Sequence, residues 1–165
     1  MRRLISKAQL TSEQADRLTV LICSFSLLLF LSVALFARAY AEYLGDLSAN
    51  PFGPTSTANP FGGGNPFAPN SITNEFSPYG SPFSNQSANN PFATDAPRLY
   101  DQEGNYRGKL STNQFDPDSV SNPFGRYGNR FSPDSINNEF GAGNPYRPDS
   151  PTNRFGSGWR IEGSR

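Results

Sequence analysis

The chain has no histidine, and its one cysteine among 165 residues is Cys23. The lack of histidine excludes histidine-based catalysis. Because Cys23 lies inside an apolar run, disulfide bonds and thiolate metal sites are excluded as well. The formal net charge is zero. Residues 42–95 carry four acids and no base, and residues 96–165 carry nine bases and eight acids, so neither part has the basic stripe that binds phosphate groups. We therefore expect no enzyme, no cofactor, no metal site and no nucleic-acid partner.

Aliphatic side chains are scarce after residue 41. Ordering a backbone costs roughly 1 to 2 kcal/mol per residue, so this composition predicts a body without a conventional globular core. The same region holds all fifteen Pro and all fifteen Gly, eleven Phe, six Tyr and the one Trp. This composition favours a mostly irregular, turn-rich repeat region, and a low-complexity, disordered tail remains the alternative. The eight aliphatic residues are Leu44, Leu47, Ile72, Leu99, Leu110, Val120, Ile136 and Ile161.

Residues 1–41 are typical of an export segment. An apolar run at residues 18–36 follows a basic flank and is long enough for one membrane helix. Ala39 and Ala41 are the small residues that a signal peptidase inspects, so both a cleaved signal peptide and a retained signal anchor are open. Either outcome predicts a membrane contact through this segment. The remainder of the chain would lie in the periplasm, outside the cell or on the outer side of a membrane.

The rest of the chain is a duplication. A single shift along the chain places Tyr43 on Tyr106 and Gly45 on Gly108, so copy one spans 42–96 and copy two continues over 112–165. Each copy contains three units of roughly 15 residues. Every unit has an arm of ten residues with an aromatic residue at each end.

The arm at residues 131–140, FSPDSINNEF, predicts a compact turn. Pro133 fixes the backbone angle φ, and the neighbouring Ser and Asp side chains can cap the turn. The Asn pair at 137–138 tolerates left-handed geometry, and the glycines that follow allow a reversal. We expect the end rings, Phe131 and Phe140, to approach each other and pack.

Residues 97–111, PRLYDQEGNYRGKLS, predict a small central β-hairpin that links the copies. The segment EYLGDLS, which begins at Glu42, resembles the second strand of this hairpin without a first. The segment WRIEG at 159–163 resembles a first strand without a second. We hypothesise that these two half-hairpins pair, within one molecule or between neighbouring molecules.

The segments YLGDLSANPF and LYDQEGNYRGKLS, with the N-P-[FY] and P-D-S-[IV] units, resemble a set of uncharacterised exported bacterial proteins built on the same repeat. The resemblance covers the chain after residue 41 and implies export and repetition, but no activity. This chain departs from it by having Phe where Tyr is expected and by lacking the Pro in some units, such as Asn129-Arg130-Phe131.

The function indicated by the sequence is a structural or adhesive role in the cell envelope, without catalysis. Aromatic rings flanked by Asn, Ser and Asp can contact an envelope polymer such as a glycan, although packing of the rings on each other, or the absence of a defined role, explains the same pattern more simply. Self-association is the other partner that the pattern leaves open. The Asp-Pro-Asp-Ser segment at 116–119 is explained by turn capping rather than by Ca²⁺. The candidate interaction residues are Phe52, Phe61, Phe67, Phe76, Phe92, Phe115, Phe124, Phe131, Phe140, Tyr146 and Phe155.

A second interpretation concerns the tripeptide Asn-Pro-Phe, which occurs five times, with Asn at 50, 59, 65, 90 and 122. It resembles the ligands of EH-type peptide-binding domains of eukaryotic endocytic adaptors. An export segment argues against this interpretation, because it places the tripeptides away from the cytosol.

Overall fold

The computed structural model describes residues 41–163. These residues belong to one compact unit, which we call the body. The apolar helix predicted at 18–36 and the cleavage residue Ala39 lie outside the described residues, and Ala41 is the first residue described. Inside the described range, no helix has the length and apolar character needed to cross a bilayer.

Four short strands form one antiparallel sheet. They are β1 (Glu42–Leu47), β2 (Arg98–Tyr100), β3 (Tyr106–Lys109) and β4 (Trp159–Gly163), and their order in the sheet is β1-β4-β2-β3. The hairpin β2–β3 lies within residues 97–111, and β1 pairs with β4 in the same molecule. The two segments that the sequence presented as half-hairpins are therefore each other's partners.

The fold class predicted from the sequence is wrong. Between residues 41 and 163 the chain has no helix, and its sheet has four antiparallel strands rather than one isolated hairpin. The physical reason is that β4 pairs with both β1 and β2, so that two marginal strand pairs become one cooperative sheet.

The duplication is visible in the hydrogen bonds of the backbone. The Asp46 N–H donates to the Thr55 carbonyl at 2.8 Å, and the Lys109 N–H donates to the Asp118 carbonyl at 2.8 Å. The shift that superposes the two copies carries one of these bonds onto the other. The two copies also interlock. Ala49 precedes the first arm of copy one, and its N–H bonds to the Pro151 carbonyl in the last arm of copy two, at 2.7 Å. Thr112 precedes the first arm of copy two, and its N–H bonds to the Ala88 carbonyl in the last arm of copy one, at 3.0 Å.

Between the strands the chain runs through successive β-turns with a period of three residues. Each turn closes with an N–H to C=O bond between residues i+3 and i, and the last residue of one turn is the first of the next, as at Ser71, Asn74 and Ser77. In the described residues only glycines have positive φ. Type II turns need a positive φ at their third residue, so the Asn-x-Phe turns are of type I. Residues 137–138, where the residue types tolerate left-handed geometry, do not adopt it.

A buried serine stands in the middle of every arm. Its side chain is at most 4% exposed, and its hydroxyl accepts the N–H of the residue two positions later. Four of the six also donate to the carbonyl eight residues earlier, at 2.9 to 3.3 Å. Serine thus replaces a hydrophobic residue as the interior side chain of each arm, because it saturates backbone groups that water does not reach. The six are Ser56, Ser71, Ser87, Ser119, Ser135 and Ser150.

All eight aliphatic residues counted in the sequence converge on one cluster. Leu44, Leu99 and Ile161 are buried there beside Trp159, which is 1% exposed, and the other five aliphatic residues pack against the cluster while partly buried. Each fully buried side chain of this size contributes about 1.5 to 3 kcal/mol. The body therefore has its own core, built from residues of the sheet and of the arms, and it can be studied without residues 1–40.

Candidate functional site: an array of exposed aromatic rings

Twelve aromatic rings project from the arms into solvent. Their side chains are between 82% and 96% exposed, whereas Trp159 and Tyr79 in the core are almost completely buried. We call these twelve rings the aromatic array. It consists of Phe52, Phe61, Phe67, Phe76, Phe83, Phe92, Phe115, Phe124, Phe131, Phe140, Tyr146 and Phe155.

Each ring occupies the third position of a turn that asparagine fixes. In eleven of the twelve turns, an Asn side-chain Oδ1 accepts the N–H of the aromatic residue two positions later, at 2.9 to 3.0 Å. At the second ring of every arm, the same Asn also donates from Nδ2 to a carbonyl six residues earlier, at 2.8 to 3.1 Å. The Asn side chain is thus committed to the turn, and the next two side chains point outward.

The rings come in pairs that share open clefts. Phe67 and Phe76 line a cleft of about 390 Å³ with Pro66, Thr73 and Asn74. Phe131 and Phe140 line another of about 350 Å³, and Tyr146 and Phe155 line a third of about 490 Å³. A further cleft, of about 550 Å³, lies between Phe124 and Phe131 of successive arms. Its position connects neighbouring pairs into a longer surface.

The structure corrects two expectations about this surface. The end rings of an arm flank a cleft and do not bury each other, so the predicted packing of Phe131 on Phe140 is wrong. The predicted contribution of Asn and Ser to ligand contact also fails for the Asn at each second ring and for the mid-arm Ser, because these groups bond to the backbone of their own turns. The charged side chains available for hydrogen bonding in the three clefts that ring pairs line are Glu75, Glu139 and Arg154, each directly before a second ring, and Arg130 beside Phe131.

Among the predicted interaction residues, all eleven belong to the aromatic array. Sequence reasoning omitted Phe83, whose turn begins with Ser81 instead of Asn; Ser81 Oγ accepts the Phe83 N–H at 3.4 Å. The signal that finds Phe83 is its distance of nine residues from Phe92, the same separation that every other arm shows.

The buried charged groups of the body serve the fold. Burial alone would raise the pKa of Asp101, but hydrogen bonds from Asn105 and Arg107 outweigh burial and lower this pKa. The Arg107 guanidinium lies 2.8 Å from Asp101, 3.0 Å from Asp134 and 5.8 Å from the centre of the Trp159 ring, so it ties the hairpin to an arm and to the core.

One of the two Asp residues that the sequence considered as Ca²⁺ ligands is likewise engaged. Asp116 lies 2.8 Å from the Lys109 ammonium group and accepts the Asp118 N–H at 2.9 Å. Across residues 41–163 there is no group of three His, Cys, Asp or Glu side chains suited to a metal ion.

No protein-family model, curated protein or solved structure significantly matches the chain.

Proposed function

We propose that the chain is a non-catalytic, exported repeat protein of the cell envelope, and that the aromatic array is its adhesive surface. The observation that carries the proposal is the exposure of twelve aromatic rings on a folded scaffold. An aromatic side chain has about 150 to 250 Å² of surface, so the array presents on the order of 2,000 Å² of aromatic surface to solvent. The two rings of a single cleft present about 300 to 500 Å², which already equals the largest contiguous apolar patch of an ordinary monomer, about 300 to 600 Å².

The arrangement favours many weak contacts over one deep pocket. The clefts are open and recur along the arms. Because all the rings belong to one folded unit, binding at one cleft raises the effective concentration of the next, and weak sites add up to firm attachment to a repetitive partner. Catalysis would need a base or nucleophile in an enclosed site, whereas the chain has no His and its single Cys lies in the apolar run.

The Asn-Pro-Phe tripeptides do not favour the interpretation as EH-domain ligands. The turn that presents Phe61 of Asn-Pro-Phe is the same as the turn that presents Phe76 of Asn-Glu-Phe and Phe155 of Asn-Arg-Phe. The geometry therefore belongs to the repeat and not to the tripeptide, and the rings act as one set.

The experiment that tests the proposal is co-sedimentation of the body with washed cell envelopes from the source cells. A variant with Ser at six rings should lose most of its sedimentation, because it removes both rings of three clefts. A matched variant with Tyr at the same six positions should keep it, since the aromatic faces remain. Fluorescence of Trp159 checks that both variants are folded. Equal sedimentation of the Ser variant and the natural sequence would refute the proposal. The six positions are Phe67, Phe76, Phe131, Phe140, Tyr146 (which already carries Tyr) and Phe155.

A further inference from the structure

We infer that the clefts between the paired rings of one arm are subsites for an uncharged polysaccharide. The inference rests on the proposed function and names the chemistry of the partner. Each of the three clefts contains two aromatic faces and at least one charged side chain that can form hydrogen bonds, a combination that suits a sugar ring with its apolar face and its hydroxyl groups.

Each cleft has a long charged side chain directly before its second ring. Glu75 precedes Phe76, and Glu139 precedes Phe140 in the equivalent cleft. The Asn side chain that lines each cleft two residues before the second ring bonds to the backbone of its own turn. Hydroxyl groups of a ligand therefore find their acceptor at these two carboxylates, and charge-assisted hydrogen bonds of this kind are stronger than bonds between neutral groups.

The charges of the clefts argue for an uncharged polymer. The Phe67–Phe76 cleft holds one acid, Glu75. The Phe131–Phe140 cleft holds both Glu139 and Arg130, and the cleft of Phe155 holds Arg154 without an acid. A polymer with one sign of charge would be repelled at one cleft or another, whereas hydroxyl groups can donate to carboxylates and accept from guanidinium groups. A nucleic acid or an acidic polymer does not fit this pattern.

The repetition argues for a polymer rather than a free sugar. The arms recur at a nearly constant spacing along each copy. The turns at the three clefts repeat as well: Asn74, Asn138 and Asn153 each donate from Nδ2 to the carbonyl six residues earlier, at 2.8 to 3.0 Å. Equivalent clefts are therefore presented by equivalent turns, and a chain of identical sugar units can occupy several of them at once.

The test is native affinity electrophoresis of the body in gels that contain hydroxyethyl cellulose, dextran or galactomannan, with carboxymethyl cellulose as a charged comparison. We expect retardation by at least one neutral polysaccharide and less by the charged one. Leu at the four rings Phe67, Phe76, Phe131 and Phe140 keeps apolar bulk but removes the stacking face, and should weaken binding about tenfold. Tyr at the same four positions should bind within about twofold of the natural sequence.

Two further variants locate the contacts. The double variant E75Q/E139Q should weaken binding several-fold, because each of the two clefts loses one charged hydrogen-bond acceptor. Leu at the four rings Phe52, Phe61, Phe83 and Phe92, where Pro precedes the second ring in place of Glu, is the matched control and should change binding less than the first four-ring variant. The one tryptophan, Trp159, lies in the core and reports by fluorescence that each variant is folded.

Three outcomes would overturn the inference. The first is no retardation by any of the neutral polysaccharides; if envelope sedimentation persists, this leaves the proposed function standing. The second is equal binding by the Leu and Tyr variants to vesicles of phosphatidylethanolamine and phosphatidylglycerol, which indicates a lipid surface. The third is concentration-dependent dimerisation of the natural sequence that the Leu variant abolishes, which indicates a second copy of the chain as the occupant.

Discussion

Replacement of Ser119 by Ala tests the polar interior of the arms. The Ser119 hydroxyl is fully buried, donates to the Ser111 carbonyl at 2.9 Å and accepts the Ser121 N–H at 3.0 Å. The Ala variant leaves both backbone groups without a partner, and an unsatisfied buried group costs about 1 to 3 kcal/mol. We expect the free energy of unfolding to fall by about that amount, which is a large share of the roughly 5 to 15 kcal/mol of an ordinary domain.

The assay is urea denaturation of the body, followed by the fluorescence of Trp159. Ser56 is the equivalent residue of copy one, with bonds of 3.0 Å to the Ser48 carbonyl and 3.1 Å from the Ala58 N–H, so Ser56→Ala should lose a similar amount. The control is Ser157→Ala, because Ser157 is exposed and its side-chain bond to the Pro148 carbonyl is 3.4 Å long. If Ser119→Ala and Ser157→Ala unfold at the same urea concentration, the serine hydroxyls do not hold the interior and the reasoning fails.

Three other predictions concern the backbone, the pH dependence and the duplication. A Cβ at Gly143 would overlap the Ile136 carbonyl, so Gly143→Ala should lower the free energy of unfolding by about 1 kcal/mol or more and the melting temperature by several degrees. In the control Gly53→Ala the new Cβ meets only side-chain atoms, the nearest at 3.2 Å, and the melting temperature should change little. Because the pKa of Asp101 is lowered in the native state, its carboxylate stabilises the fold at pH values above the pKa of the unfolded chain, and this stability is lost as the pH falls through the native pKa. In urea titrations below about pH 4, the free energy of unfolding should therefore fall more steeply with pH for the natural sequence than for Asp101→Asn. Cleavage at an engineered protease site beside Gly104, which is exposed, should leave the two halves together in gel filtration, since β2 pairs with β4 across the cut; separate elution would show that the copies do not interlock.

Much of the local organisation was predictable because the duplication is written in the sequence. The arms, their aromatic ends and the hairpin at 97–111 follow from the spacing and from the turn-forming residues. The pairing of β1 with β4 was available as a hypothesis, since EYLGDLS and WRIEG each resemble half of that hairpin. The choice between pairing within a molecule and pairing between molecules needed the structure.

The core was missed because composition does not show which side chains meet in the folded chain. Eight aliphatic residues are too few for a conventional interior, and the sequence does not show that all eight meet beside Trp159. The buried side chains of the arms were not predicted, for a second reason. Its period is three residues, set by successive turns, whereas the periods that reveal buried faces in a sequence are those of helices and strands. Mid-arm serines such as Ser135 looked like turn caps, and the structure shows that they are also fully buried.

The direction of the aromatic rings depends on turn geometry that residue types leave open. In the turns of this chain each Phe at the third position has a negative φ, and its ring is exposed. The Asn side chain stabilises these turns by accepting the N–H of the aromatic residue, as Asn74 does for Phe76 at 2.9 Å. The pattern Asn-x-Phe is therefore a signal for an exposed ring once the three-residue turn period is recognised.

Solvent paramagnetic relaxation in proton NMR of the body tests most directly whether the chain is a folded scaffold with its aromatic rings outside. With a soluble paramagnetic agent, we expect well-dispersed amide signals, strong broadening of the ring protons of the aromatic array and sharp, protected signals from Trp159, which is 1% exposed. Protected Phe rings, or a Trp159 signal broadened as strongly as they are in a spectrum without amide dispersion, would contradict the account.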